Sequence, residues 1–170
     1  MDYRYDAICG ITEKELYHYF ATPIKEMAEL FGYSEEEMKQ LLKKQYDGYH
    51  FSNTMVDIYN PFSLINAFKK MDIDNYWYRS GSPTYLVKLL EGHQVNMQKL
   101  TSYAYSADYF MDYRADAEDP LAMLYQSGYL TIKGYDKRRF VYRLDYPNDE
   151  VKNGFDAICS AVSKRFQKNS

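Results

Sequence analysis

The sequence predicts a mainly α protein of the α+β class: a small helical bundle followed by a winged-helix-like helix–hairpin–helix segment. Two observations carry this. Toward the N-terminus, side-chain caps and prolines repeatedly precede apolar residues at helical spacing. In the last third, an alternating run, a charged turn and a returning run lie between two helical patterns. The order divides the chain into a helical region over 1–92 with a short hairpin near 46–59, a connecting segment over 93–118, and the winged-helix-like segment over 119–170.

The residues before Gly10 hold no helix or strand start, as expected of a piece taken from a longer chain with Met1 as an added initiator. Thr12-Glu13-Lys14-Glu15 then reads as a capping box, in which Thr12 caps the helix and Glu15 reaches back. Leu16, Tyr17 and Phe20 form the apolar side of that helix. Thr22-Pro23 reads as a second start, with Thr22 as the cap, for a helix bearing Ile24, Met27, Ala28 and Phe31 up to Gly32. Ser34-Glu35-Glu36-Glu37 is another capping box, followed by Met38, Leu41 and Leu42, with Lys39, Lys43 and Lys44 outward.

Asp47-Gly48 between aromatic residues predicts a tight turn, with Phe51 pairing the Val56–Tyr59 run across Ser52-Asn53-Thr54. Asp47 and His50 are close enough in sequence to suggest acid–base chemistry. Turn chemistry accounts for them more simply, with Asp47 setting the turn, Gly48 at positive φ and His50 exposed. Asn60-Pro61 caps a helix carrying Phe62, Leu64, Ile65 and Phe68. Asp72 and Asp74 lack the glycine and distal glutamate of a calcium loop and read as a solvated linker.

The stretch Asn75–Leu90 holds the only tryptophan, Trp77, then Arg79, then Ser80-Gly81-Ser82-Pro83 and an amphipathic helix from Thr84. Free N–H groups at such a helix start can meet an anion. Segment 93–119 is the least patterned; Tyr103-Ala104-Tyr105 predicts a strand, Ser106 a cap, and Asp112–Asp119 an acidic loop. Asp119-Pro120 then starts a helix over Leu121–Ser127. Tyr129–Tyr135 and Phe140–Asp145 predict a hairpin across Asp136-Lys137-Arg138-Arg139. A last helix from Asp149 carries Val151, Phe155, Ile158, Val162 and Phe166 as its stripe.

Composition narrows the function classes. The chain has 170 residues, a net charge of −3, and 20 tyrosines with 9 phenylalanines. The aromatic excess suits a core with wet hydroxyl edges, and the negative charge disfavours long-range attraction to phosphates. Cys9 and Cys159 lie at opposite ends and His18, His50 and His93 are scattered, so neither a disulfide framework nor a zinc site is expected, and a reducing cytoplasm fits.

No phosphate loop occurs, since the only glycines at a comparable interval are Gly128 and Gly134, and the second is followed by Tyr135 rather than Lys-Ser or Lys-Thr. Nucleophile-elbow and HExxH sequences are also missing. Asp145 with Glu150-Val151-Lys152 superficially matches the carboxylate–x–lysine pair of metal-dependent nucleases. Here the pair opens a helix, where Asp149 and Glu150 suit the dipole. Lys137, Arg138 and Arg139, with Lys133 and Arg143 nearby, form the compact basic cluster; they and the exposed tyrosines offer an alternative role in binding nucleic acid.

Five separated phrases give a more specific indication: ICGITEKEL at Ile8–Leu16, QYDGYHFS at Gln45–Ser52, IYNPFSLINAF at Ile58–Phe68, GSPTYL at Gly81–Leu86, and LYQSGYLTIKGYD with YPNDEVKNGF within Leu124–Phe155. In order and spacing the chain resembles a bacterial AAA-ATPase-like family, whose full-length members carry an N-terminal P-loop ATPase-like domain and a C-terminal PD-(D/E)XK nuclease-like domain. The resemblance implies that this chain is the helical lid and winged-helix-like part that follows the ATPase core. It further implies, by analogy with related ATPases that use a Gly-x-Pro lid turn, a nucleotide contact through Gly81, Ser82 and Pro83 with Arg79 beside them. The expected partner is then the P-loop domain of the parent protein, with ATP and Mg bound there and no catalysis by this chain.

Overall fold

A computed structural model describes residues 10–80, 84–92, 95–111 and 120–168, except the side chains of residue 89 and residues 165–168. Strand β1 (Ile11–Thr12) leads directly into helix α1 (Glu13–Tyr19). The predicted capping box is present: Glu15 N–H donates to Thr12 Oγ1 at 3.3 Å, and Thr12 N–H donates back to the Glu15 carboxylate at 2.9 Å. Helix α2 (Ala21–Phe31) starts one residue before the predicted cap, with Phe20 as its N-cap and no side-chain hydrogen bond there. Thr22 is thus a helical residue. Pro23 is tolerated because first-turn N–H groups lack intrahelical partners anyway. Gly32 closes the helix at φ 71°.

Helix α3 (Glu35–Tyr46) opens on the second predicted capping box, with Glu37 N–H donating to Ser34 Oγ at 3.2 Å. Strand β2 (Ile58–Tyr59) pairs antiparallel with β1. The pairing expected for Phe51 is replaced by an isolated bridge between Tyr49 and Ile58. Asn60 caps helix α4 (Pro61–Lys70) through Phe62 and Ser63 N–H. These elements enclose a first core that includes Leu16, Ile24, Met27, Met38, Leu42, Tyr46, Leu64 and Tyr76.

Helix α5 (Tyr76–Arg79) links this core to the next: Tyr76 packs into the first and Trp77 against the second. Helices α6 (Thr84–Gly92), α7 (Met97–Ser102), α8 (Ala107–Phe110) and α9 (Pro120–Gln126) follow, with β3 (Ala104–Tyr105) between α7 and α8. Strands β4 (Thr131–Asp136) and β5 (Val141–Asp145) form the predicted hairpin, and β3 adds to the free side of β5, giving the order β3-β5-β4. Helix α10 (Asp149–Lys168) ends the chain. Its residues Val151, Phe155, Ile158 and Val162 pack with Leu86, Phe110, Leu121, Leu124, Ile132 and Leu144 into the second core. The Cα of Gly154 lets α10 approach α5, since a Cβ there would lie 2.9 Å from the Tyr78 ring.

The architecture is mainly α with two small antiparallel sheets. Among the described residues, no helix is long and apolar enough to cross a membrane.

Candidate functional site at the seam between the cores

The segment Asp47–Asp57 runs along the boundary of the two cores, and its backbone is gripped from the C-terminal side. Asn148 Nδ2 donates to the Asp47 carbonyl at 2.9 Å, while Asn148 Oδ1 accepts from Val151 N–H and so caps α10. Lys133 Nζ donates to the carbonyls of Gly48 and Pro147 at 2.8 and 2.9 Å. Thr131 Oγ1 accepts from His50 N–H and donates to the His50 carbonyl. Gly48 makes this approach possible: its φ is +93°, and a Cβ on it would stand 2.2 Å from the Pro147 carbonyl oxygen.

His50 is buried here, not exposed as turn chemistry alone predicts. Its Nδ1–H donates to the Ile132 carbonyl at 2.6 Å, and Nε2 lies 2.6 Å from Asp57 Oδ1. Burial by itself would raise the Asp57 carboxyl, but the His50 hydrogen bond, its charge and the Lys43 ammonium hold it below its ordinary value. A carbonyl oxygen only accepts, so Nδ1 is spent on Ile132, and Nε2 is taken up by the Asp57 carboxylate; both ring nitrogens are engaged within the seam. The acid–base pairing considered for Asp47 with His50 is not formed; Asp57 takes that place.

Lys43 is shared among carboxylates, with Nζ at 3.1 Å from Glu13, 3.4 Å from Asp57 and 3.9 Å from Asp47. Asp47 is almost completely buried, and neither carboxylate oxygen has a hydrogen bond of good geometry. Burial pushes its carboxyl up to about 6. Glu150 is a parallel case on the other side of the seam. It is fully buried, accepts from Trp77 N–H at 2.7 Å, and is pushed up to about 7 by burial, with the Ser63 hydroxyl and the Trp77 amide opposing. Asn148, not Glu150, caps α10.

Two cavities flank the seam. One, of about 410 Å³, has Tyr49, Phe51, Trp77 and Tyr125 among its walls. The other, of about 400 Å³, is polar and includes Asp47, Asp145, Lys152 and the Lys44–Asp149 ion pair at 3.2 Å. Asp145 and Lys152 thus share a cavity, while the Glu150 carboxylate is committed to Trp77; the nuclease-like trio is not assembled around one point.

Of the residues singled out for ligands, Arg79 is exposed and its guanidinium is paired with Asp74. Gly81, Ser82 and Pro83 lie outside the described residues, as do Cys9, His93 and the Asp112–Asp119 run. Lys137, Arg138 and Arg139 are exposed on the β4–β5 turn. Lys133, grouped with them by sequence, is withdrawn into the seam by its two carbonyls. Among the described residues no group of His, Cys, Asp and Glu could hold a metal ion. Asp72 and Asp74 instead accept from the N–H groups of Ile73 and Asn75. The Cys159 thiol is free and raised by burial.

A curated relative described as "Uncharacterized protein in vnfD 5'region", from Azotobacter chroococcum mcd 1, is 33% identical over 154 residues, covering 89% of this chain and 28% of the relative. The chain therefore spans less than a third of the length of the curated relative it matches. No family model matches the chain, and no solved structure does.

Proposed function

We propose that this chain is a non-catalytic module of a longer AAA-ATPase-like protein, supplying one side of a nucleotide site and contacts to a P-loop domain elsewhere in the same protein. The observation that supports the module part of this reading is the match along 89% of the chain to only 28% of a relative, while the ATPase-like part rests on the sequence phrases between Ile8 and Phe155. In that relative the matched region lies within a much longer polypeptide. The seam chemistry supports the non-catalytic part, because the buried imidazole has both nitrogens engaged. In this reading the Gly81-Ser82-Pro83 turn meets the nucleotide, and Arg79, held by Asp74, stands beside it as a phosphate-side cation. Mg and the phosphates are held chiefly by the P-loop domain. The lid and winged-helix-like assignments and a cytoplasmic setting belong to the same proposal.

Calorimetric titration of this chain with Mg–ATP is expected to give no tight binding. The longer protein is expected to bind it, with Arg79→Ala weakening that affinity about ten-fold. Tight binding by the chain alone, or unchanged affinity of the Arg79→Ala parent, overturns the reading.

A further inference from the structure

The outer face of the β3-β5-β4 sheet carries a basic trough that plays no part in either core. In the central strand β5, Arg143 pairs with Ala104 on one side and with Gly134 on the other. Both neighbours are small, so the guanidinium lies across Gly134: a Cβ there would stand 2.9 Å from Nε and 3.0 Å from Nη2 of Arg143. The resulting trough, about 560 Å³, runs to the turn and is lined by Lys137, Arg138 and Arg139. The one acid in its wall, Asp136, already accepts from the N–H groups of Arg138 and Arg139 through Oδ1. Four cations thus line a trough whose wall holds a single carboxylate, on a chain whose net charge is −3.

An independent feature adjoins it. Phe140, the last turn residue, has φ 55° and is 70% exposed. Glycine or asparagine is favoured at such a φ, and an aromatic side chain there is both sterically unfavourable and left in water. Phe140 directly follows Arg138 and Arg139 in the chain, and an exposed ring on the same turn as cations supplies the two kinds of group that take a base and its phosphates.

We propose that this face binds single-stranded nucleic acid, with the phosphate backbone in the Arg143 trough and a base stacked on Phe140. A duplex offers no unstacked base to the ring, and the neighbouring helix α9 has no lysine or arginine with which to read a groove. This inference does not depend on the nucleotide-site proposal, since the trough and the Arg79 segment share no residue.

The test is fluorescence anisotropy on the full chain with labelled oligo-dT and oligo-U of about twelve nucleotides at about 50 mM salt, beside duplex DNA and poly-glutamate competitors. The single strands are expected to bind, to weaken steeply with salt, and to resist competition by poly-glutamate. Arg143→Ala and the Lys137/Arg138/Arg139→Ala triple variant should each weaken binding about ten-fold or more. Phe140→Gly relieves the backbone, so it should melt no lower than the parent while losing about ten-fold in affinity. The inference is overturned if no single strand binds, if poly-glutamate competes as well as oligonucleotide, if duplex binds as tightly, or if Phe140→Gly binds like the parent.

Discussion

The first core draws on one continuous stretch, Leu16–Tyr76, and packs mostly helix on helix, with leucine, isoleucine, methionine and alanine around Tyr46, Tyr59, Phe68 and Tyr76. The second gathers side chains from α6, α8, α9, both strands of the hairpin and α10, and links its aliphatic residues with partly buried tyrosines through ring contacts. Phe110 meets Tyr125 and Tyr142 edge to face at 4.7 and 5.6 Å, and Phe155 meets Tyr129 and Tyr146 at 5.8 Å. Between them lies a seam of buried amides, hydroxyls and charges. The difference teaches where specificity resides. Apolar cores tolerate small adjustments of position, whereas a buried donor must meet its acceptor in one relative placement of the two halves.

The largest test of that contrast is Gly48→Ala. Positive φ and the 2.2 Å approach of the Pro147 carbonyl oppose any Cβ, so a loss of about 2–4 kcal/mol is expected in urea unfolding. One displaced transition would mean that the seam couples the cores. Two transitions would mean that each core stands without it.

Glu150→Gln sharpens the same point through pH. Because the folded-state carboxyl is raised from 4.5 to about 7, the native state binds more protons than the unfolded state between those values, and stability falls as pH rises through that window. Asp47, raised from 3.8 to about 6, acts in the same direction. The amide keeps an acceptor for Trp77 N–H without the charge. At pH 8 the variant should exceed the parent by on the order of 2–3 kcal/mol, and the advantage should vanish below about pH 5 in paired thermal melts. An equal gap at both pH values would show that the carboxylate is not the cause.

The smallest expected effect is Ser34→Ala, which removes a cap from the first core alone. It should cost about 1 kcal/mol with little pH dependence above neutrality. A larger loss would tie α3 to the seam more strongly than its cap does.

These effects follow the line between what was legible in the sequence and what was not. Both capping boxes, the Asn60 cap and the β4–β5 hairpin depend on partners a few residues apart, and reading along the chain finds them. Turn chemistry predicts an exposed His50, whereas the partners that bury it, Thr131 and Ile132, are 81 and 82 residues away. The place of Glu150 in the first turn of α10 predicts only a helix-dipole role, since its partner Trp77 is 73 residues away. Lys133 looked like part of a surface cluster until the Gly48 and Pro147 carbonyls claimed it. The YDGYHF phrase signalled a tight turn because asparagine or aspartate before glycine usually makes one. Here Asp47 ends α3, and the glycine serves a close approach between distant backbones.

The grip on the Asp47–Asp57 segment has a consequence for how such a sequence can drift. Lys133, Asn148, Thr131 and His50 reach for main-chain oxygens, and a main-chain oxygen is offered by any residue that follows the same path. The gripping side chains are therefore chemically constrained, while several positions they hold are constrained only in trajectory. Across diverged copies, substitutions at the donors should be accepted mainly in concert with a shift of the seam, whereas Asp47 and Pro147 can change identity without loosening these contacts.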